Sequence, residues 1–207
     1  MDKIFTKNIE HESAVKHVTG KAIYTDDISE PKNLLHAVIG YSNCSKGVIK
    51  KIDYKDVLSS EGVVDIITEK DIEGINDVGP IFKGDKIFTS KNIEYYGQPI
   101  FAVIAKTNNL AKKAALKVKI DLKISKPIVS IEEALKKKSF VLKPKHLTRG
   151  NIKDGFKKSD NILKGKLYSG GQDHFYLEGQ IAMTIPQEDN NFLVYSSTQH
   201  PSETQQI

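Results

Sequence analysis

Apolar residues gather along this chain in short blocks that switch between strand and helix spacing. Leu34 to Ile39 and Val63 to Ile67 are apolar runs of strand length. Ile100-Phe101-Ala102-Val103-Ile104-Ala105 has no polar interruption, the pattern of a strand in the middle of a sheet. Thr107 or Asn108 can cap the next helix, which puts Leu110, Ala111, Ala114, Ala115 and Val118 on one face. Val118, Ile120 and Leu122 then alternate with Lys119 and Asp121, which predicts a half-buried strand. Beyond Pro127, Ser130 and Glu133 stand at capping-box spacing before a short helix. Ser139 to Gly150, with Pro144 and Lys145, reads as a connector over the surface. A brief helix is expected over Ile152 to Lys158, and a strand over Ile162 to Tyr168. Ile181 to Ile185 and Phe192 to Tyr195, joined through Glu188-Asp189-Asn190-Asn191, predict a hairpin. The whole reads as a mixed α/β (α+β) protein without internal repeats or low-complexity segments.

Thr198-Gln199-His200-Pro201-Ser202-Glu203-Thr204 has the signals of a helix start, and the sequence stops at Ile207. A helix of about one turn carries the nucleation cost without the propagation that offsets it. The chain therefore reads as the front part of a larger protein.

Composition narrows the class. At 207 residues and 39% hydrophobic content the chain can bury one ordinary core or two small ones. No apolar run approaches the roughly 20 residues of a membrane span. Met1 to Lys7 contains no apolar h-region, so no secretory signal is read and a cytoplasmic location is expected. Cys44 is the single cysteine, which rules out an internal disulfide, a cysteine-caged zinc and an iron–sulfur cluster held by this chain alone. The net charge of +5 invites a nucleic-acid reading, but Arg149 is the sole arginine and the lysines are scattered. Sequence readers use bidentate arginine and cluster their charge, so no nucleic-acid partner is expected. Lys136-Lys137-Lys138 falls at a helix end, where positive charge suits the macrodipole.

The run that could carry chemistry is Gly170-Gly171-Gln172-Asp173-His174-Phe175-Tyr176-Leu177-Glu178-Gly179-Gln180. Paired glycines allow backbone to come close to a ligand, and Gln172 offers an uncharged amide. From composition alone a turn or bulge at the glycines is the favoured reading. His174 and Glu178 could be metal ligands or an acid–base pair, but two groups do not complete a zinc shell. Structural hydrogen bonding is the favoured reading for both. His11, His17, His36, His146 and His200 are dispersed and form no ligand set. Gly84-Asp85-Lys86 lacks the glycines and the Lys-Ser/Thr ending of a phosphate loop.

In its context this run resembles the molybdenum-binding large subunits of the xanthine dehydrogenase and aldehyde oxidase family. Further pieces lie in the same order along the chain. They are His11-Glu12-Ser13-Ala14, Val18-Thr19-Gly20, Tyr24-Thr25-Asp26-Asp27-Ile28, Gly62-Val63-Val64, Thr68-Glu69-Lys70-Asp71-Ile72 and Asn76-Asp77-Val78-Gly79-Pro80. Tyr96-Gly97-Gln98-Pro99 and Ser196-Ser197-Thr198-Gln199-His200-Pro201-Ser202 complete the series. Each piece is short, but together they cover nearly the whole chain.

The resemblance implies a hammerhead-type mixed domain over residues 16–124, a connector over 125–150, and the first strands of a molybdopterin-binding domain over 151–207. It implies that Gln172 binds the molybdenum–molybdopterin cofactor, hydrogen-bonding through its side chain to an oxygen ligand of the metal. Asp173 departs from the glutamate associated with that position. The implied parent activity is purine hydroxylation, hypoxanthine and xanthine to urate. Electrons would pass through iron–sulfur clusters and FAD to NAD⁺ on a separate small subunit, making the parent a hetero-oligomer. The family's glycine-rich cofactor loop, purine-holding arginine and glutamate, and catalytic glutamate base are not found in these residues. No catalytic residue and no direct metal ligand is therefore assigned. The alternatives are a non-catalytic remnant or docking module, or part of an aldehyde or other heterocycle hydroxylase.

Overall fold

The computed structural model describes residues 10–207. A single helical turn, α1 (Ala14–Val18), comes first. It is followed by β1 (His36–Tyr41), β2 (Gly47–Asp53), α2 (Lys55–Leu58), β3 (Val63–Ile67), β4 (Asn92–Ile93), β5 (Pro99–Ala105), α3 (Asn108–Ala115) and β6 (Lys119–Ile124). Two isolated helices, α4 (Ile131–Lys137) and α5 (Ile152–Lys158), precede the hairpin β7 (Ala182–Pro186) and β8 (Phe192–Ser196) and a final helix α6 (Pro201–Gln206). The chain forms two compact units, one running to Lys123 together with Tyr176–Ile207, the other Ile124–Phe175.

The first unit is built around β5. It pairs antiparallel with β1 on one edge and β3 on the other, giving the sheet order β1-β5-β3. Its burial explains its composition: Ile100, Phe101, Ala102, Val103 and Ala105 are all buried. A strand covered on both faces has no place for a polar residue. The second sheet runs β4-β2-β6. Ile49 of β2 and Ile93 of β4 enter the same core as β5, with Ile120 and Leu122 of β6 packed against it. The predicted alternation of β6 holds, with Lys119, Asp121 and Lys123 exposed between them.

Helix α3 starts as its sequence prescribes: the Thr107 hydroxyl accepts from Leu110 N–H at 3.3 Å. Ala111 and Ala114 are completely buried against the sheet. Val118 lies beyond the helix, which stops at Ala115, yet it still reaches the core. β1 starts at His36 rather than Leu34 because a turn occupies the residues before it. Leu34 N–H donates to Pro31 C=O at 3.2 Å, and Asn33 has φ of 65°.

Gly40 faces Phe101 across the β1–β5 pair, and a Cβ there would collide with the Phe101 ring. Its φ is not positive, so the requirement is space and not conformation. Tyr54 closes the other side of that ring edge-on, with centroids 5.3 Å apart and planes at 71°. The ring is completely buried between them.

In the hairpin, Asp189 and Asn190 both take left-handed backbone (φ 57° and 59°), as short strand connections require. Gln187 N–H closes it onto Asn191 C=O at 2.8 Å. In the second unit, Ser130 Oγ accepts from Glu133 N–H at 3.2 Å, and Asn151 Oδ1 accepts from Lys153 N–H at 3.1 Å. The strand expected over Ile162 to Tyr168 does not form. That segment has no regular structure and every residue in it is exposed. A strand is held by its ladder, and here there is no neighbour to supply the hydrogen bonds. Among the described residues no helix is long and apolar enough to cross a membrane.

Two outcomes test this packing. Gly40→Ala should destabilise the first unit by about 1–3 kcal/mol, as overpacking of a filled core does. Gly155→Ala, in open space on α5, should be neutral or slightly stabilising for that helix. Urea unfolding followed by tyrosine fluorescence reads the first, and far-ultraviolet helicity the second. Limited proteolysis should cut within the wholly exposed residues 139–177 well before β5 or α3.

Candidate functional site

Several sequence pieces singled out above are used up by the fold itself. In Tyr96-Gly97-Gln98-Pro99, Gly97 has φ of 80°, which favours glycine. Gln98 is 5% exposed. Its side-chain oxygen accepts from Glu94 N–H at 2.8 Å, and its own N–H donates to Ser42 Oγ at 3.1 Å. Ser42, also buried, donates its hydroxyl to Tyr95 C=O at 3.0 Å. This corner is a closed polar network holding the start of β5, so its glutamine is structural.

Asn76-Asp77-Val78-Gly79-Pro80 is likewise a built loop. Asn76 forms a two-way clamp with Phe88: its Nδ2 donates to Phe88 C=O at 2.7 Å and its Oδ1 accepts from Phe88 N–H at 3.0 Å. The Asp77 carboxylate accepts from Gly79 N–H at 2.9 Å and from Gly84 N–H at 2.7 Å. Those backbone donors, that of Gly79 first, hold the Asp77 carboxyl below the usual carboxylate range. Thr68 caps the next turn in the same manner, and its backbone N–H is the main cause that holds Asp71 low. Burial pushes the Tyr54 phenol up to about 12, with the Asp71 charge adding to it. A phenol so placed stays protonated at neutral pH and is no base.

A cleft of about 690 Å³ lies over Gly40 and Phe101, lined by Tyr41, Tyr96, Leu116 and Ile120 among others. Two phenols, Ser42 and Asn43 stand among its apolar lining residues and no charged side chain does, so it offers no carboxylate, imidazole or amine to a reaction.

The Gly170–Gln180 run differs from these segments. Gly170, Gly171 and Gln172 are exposed and belong to no helix or strand. A Cβ on either glycine would meet nothing within 4 Å, and neither glycine has positive φ. The turn or bulge that composition permitted is not there. Nothing among the described residues requires glycine at these positions. The Gln172 amide has no hydrogen-bond partner among the described residues. Asp173 turns its carboxylate onto His174 N–H at 2.8 Å. Glu178 Oε1 accepts from Thr25 N–H at 2.9 Å, in keeping with a structural role for that carboxylate. His174 and Glu178 are not brought into a ligand set, and no cluster of three or more potential metal ligands occurs among the described residues.

The residues fit a cofactor in one respect. An open, side-chain-free backbone and a neutral amide suit close approach of a polar, oxygen-rich group. They form a donor edge and not an enclosing cradle.

Comparison with known proteins assigns the chain. Residues 19–126 match the family model "Aldehyde oxidase and xanthine dehydrogenase, a/b hammerhead domain". Residues 133–207 match "Molybdopterin cofactor-binding domain". The chain belongs to the aldehyde oxidase and xanthine dehydrogenase family of molybdenum oxidoreductases. It is 38% identical over 202 residues to a xanthine dehydrogenase of Dictyostelium discoideum, covering 98% of this chain and 15% of that protein. It is also 38% identical over 199 residues to aldehyde oxidase 2 of Rattus norvegicus, covering 95% of this chain and 14% of that one. The solved aldehyde oxidoreductase of Desulfovibrio gigas is similar with a TM-score of 0.77 and 27% identity, over 90% of this chain and 23% of that one. The chain thus spans about 15% of the length of these curated relatives.

The Asp77 loop gives a pH prediction. Its folded-state carboxyl lies below the unfolded value, so its stabilisation is present above the unfolded pKa of about 4 and is lost as pH falls through the folded one. Amide exchange at Gly79 and Gly84 should accelerate as the pH drops below about 4, beyond the intrinsic pH trend. Asp77→Asn should show that faster exchange already at pH 7.

Proposed function

We propose that this chain is part of the molybdenum-binding subunit of a cytoplasmic xanthine dehydrogenase that hydroxylates hypoxanthine and xanthine to urate. The observation that supports it is the Gly170-Gly171-Gln172 edge, whose glycines and amide the described fold leaves unused, within the stretch matching the cofactor-binding model. When bound, the molybdenum cofactor supplies the redox chemistry that oxidises an electron-poor ring carbon. Gln172 would hold it from this chain, presenting an uncharged N–H donor that orients the group without changing its charge. Gly170 and Gly171 would admit it close to backbone. The division into 16–124, a connector over 125–150 and a second domain from 151 belongs to this proposal. So does a small partner subunit carrying iron–sulfur clusters and FAD that passes electrons to NAD⁺.

A second substrate class has support of its own: aldehyde oxidase 2 matches at the same 38% identity as the xanthine dehydrogenase. Turnover of the complete enzyme on xanthine and on an aromatic aldehyde separates the two, and preference for the aldehyde would overturn the purine reading.

Gln172→Ala in the complete enzyme should lower turnover about 10–100-fold with folding intact, the usual cost of losing a supporting partner at a metal centre. Wild-type turnover with full molybdenum content would remove Gln172 from the site. The 207-residue chain alone should retain no molybdenum by elemental analysis when made in a host that supplies the cofactor. One neutral hydrogen bond contributes about 1 kcal/mol net, whereas micromolar retention needs about 8 kcal/mol.

A further inference from the structure

Every residue from Leu135 through Leu177 is exposed, and burial resumes at Glu178. What Glu178 meets there is specific. Its Oε1 accepts from the N–H of Thr25, the residue opening the single turn Thr25–Asp27. The neighbouring N–H, that of Tyr24, is taken at 2.9 Å by the Asp27 carboxylate. Two consecutive backbone donors of one turn are therefore satisfied by two carboxylates, one local and one from far along the chain. Just downstream, Ile181 is locked to the base of the hairpin. Its N–H donates to Ser197 Oγ at 3.0 Å, and its C=O accepts from Ser197 N–H at 3.1 Å. β7 then continues with Met183 buried.

We propose that Glu178 is the positioning residue for Gln172, tying the downstream end of the Gly170–Gln180 run to the Tyr24–Ile28 turn. The proposal rests on the reading of Gln172 as the cofactor donor. Its physical content is entropic. A donor on a segment without burial must be ordered when the ligand binds, and each free residue adds to that cost. Fixing the chain a few residues away removes part of it in advance. A carboxylate suits the task because its bond to a backbone N–H is charge-assisted and short-ranged. The requirement is for an acceptor oxygen at that reach, which glutamine keeps and alanine loses.

The test uses the complete, cofactor-loaded enzyme with Glu178→Ala, Glu178→Gln, Gln172→Ala and the Gln172→Ala/Glu178→Ala double variant. The readouts are kcat, KM, molybdenum content and hydrogen exchange. Glu178→Ala should lower kcat about 10-fold with KM little changed, the low end of what a supporting residue at a metal site costs. It should also speed exchange across Gly170–Gln180 while leaving β5 protected. Glu178→Gln should stay within about 2-fold of wild type in kcat and show normal exchange, since it retains the acceptor. The double variant should be no slower than Gln172→Ala alone, because the two residues act as one unit. The positioning role is overturned, with the Gln172 reading intact, if Gln172→Ala is slow but Glu178→Ala matches wild type in kcat and exchange. It is overturned equally if the two losses multiply. Loss of β5 protection in both Glu178 variants would make Glu178 a residue of the general fold and also sink the proposal. Wild-type turnover of Gln172→Ala with full molybdenum is the separate outcome that removes the cofactor reading itself.

Discussion

The burial of Phe101 between Gly40 and Tyr54 is the constraint around which the first unit is arranged. Phe101 sits on β5, the central strand of its sheet, so its ring fixes the distance from β5 to whatever covers it. The space for the ring exists only because β1 carries no side chain at Gly40. Edge-on contact with Tyr54 brings the end of β2 against the same ring, which draws the second sheet onto the first. Fully burying a phenylalanine contributes about 1.5–3 kcal/mol by area alone. That is a large part of the margin of a small unit, since domains are stable by only about 5–15 kcal/mol. The polar corner at Ser42 and Gln98 belongs to the same arrangement. It satisfies the backbone where β5 begins, where a buried polar group without a partner would cost about 1–3 kcal/mol, as much as a packed apolar side chain contributes.

Several glycines and amides of this chain are needed by the fold itself. Gly40 and Gly79 are demanded by space, Gly62 and Gly97 by left-handed backbone. Gln98 is consumed by a closed network. Gly170, Gly171 and Gln172 meet no such demand. They lie within the stretch that matches a cofactor-binding model, and the proposed role of Gln172 rests on both facts.

Elements whose determinants are local were legible in the sequence. α3 begins at its Thr107 cap, α4 at Ser130 and α5 at Asn151. Val63 to Ile67 matches its strand residue for residue, and the hairpin turns where its Asp and Asn cluster stands. Elements whose determinants are distant were not. β2 (Gly47–Asp53) interleaves Val48 and Ile49 with Lys50 and Lys51, and only its partners β4 and β6 make it a strand. The reverse failure occurred at Ile162 to Tyr168, where a strand was expected and no partner is there to pair with it. The candidate site divides the same way. Gln172 could be proposed from its neighbours in sequence, whereas the Glu178–Thr25 bond links residues at opposite ends of the chain and leaves no trace in spacing.

The second unit shows what ordering a binding segment involves. Between Leu135 and Leu177 every residue is exposed, and Val141, Leu147, Leu163 and Phe175 face solvent. Fixing one residue's backbone costs about 1–2 kcal/mol of conformational entropy, which burial normally offsets. Capping bonds at Ser130 and Asn151 keep two short helices but add little beyond them, because exposed caps typically contribute on the order of 1 kcal/mol each. The donor edge at Gln172 therefore lies in the part of the chain with the least internal support. A cofactor site of the proposed construction would bind through many weak constraints assembled together, so a single amide would matter for orientation while contributing little affinity of its own.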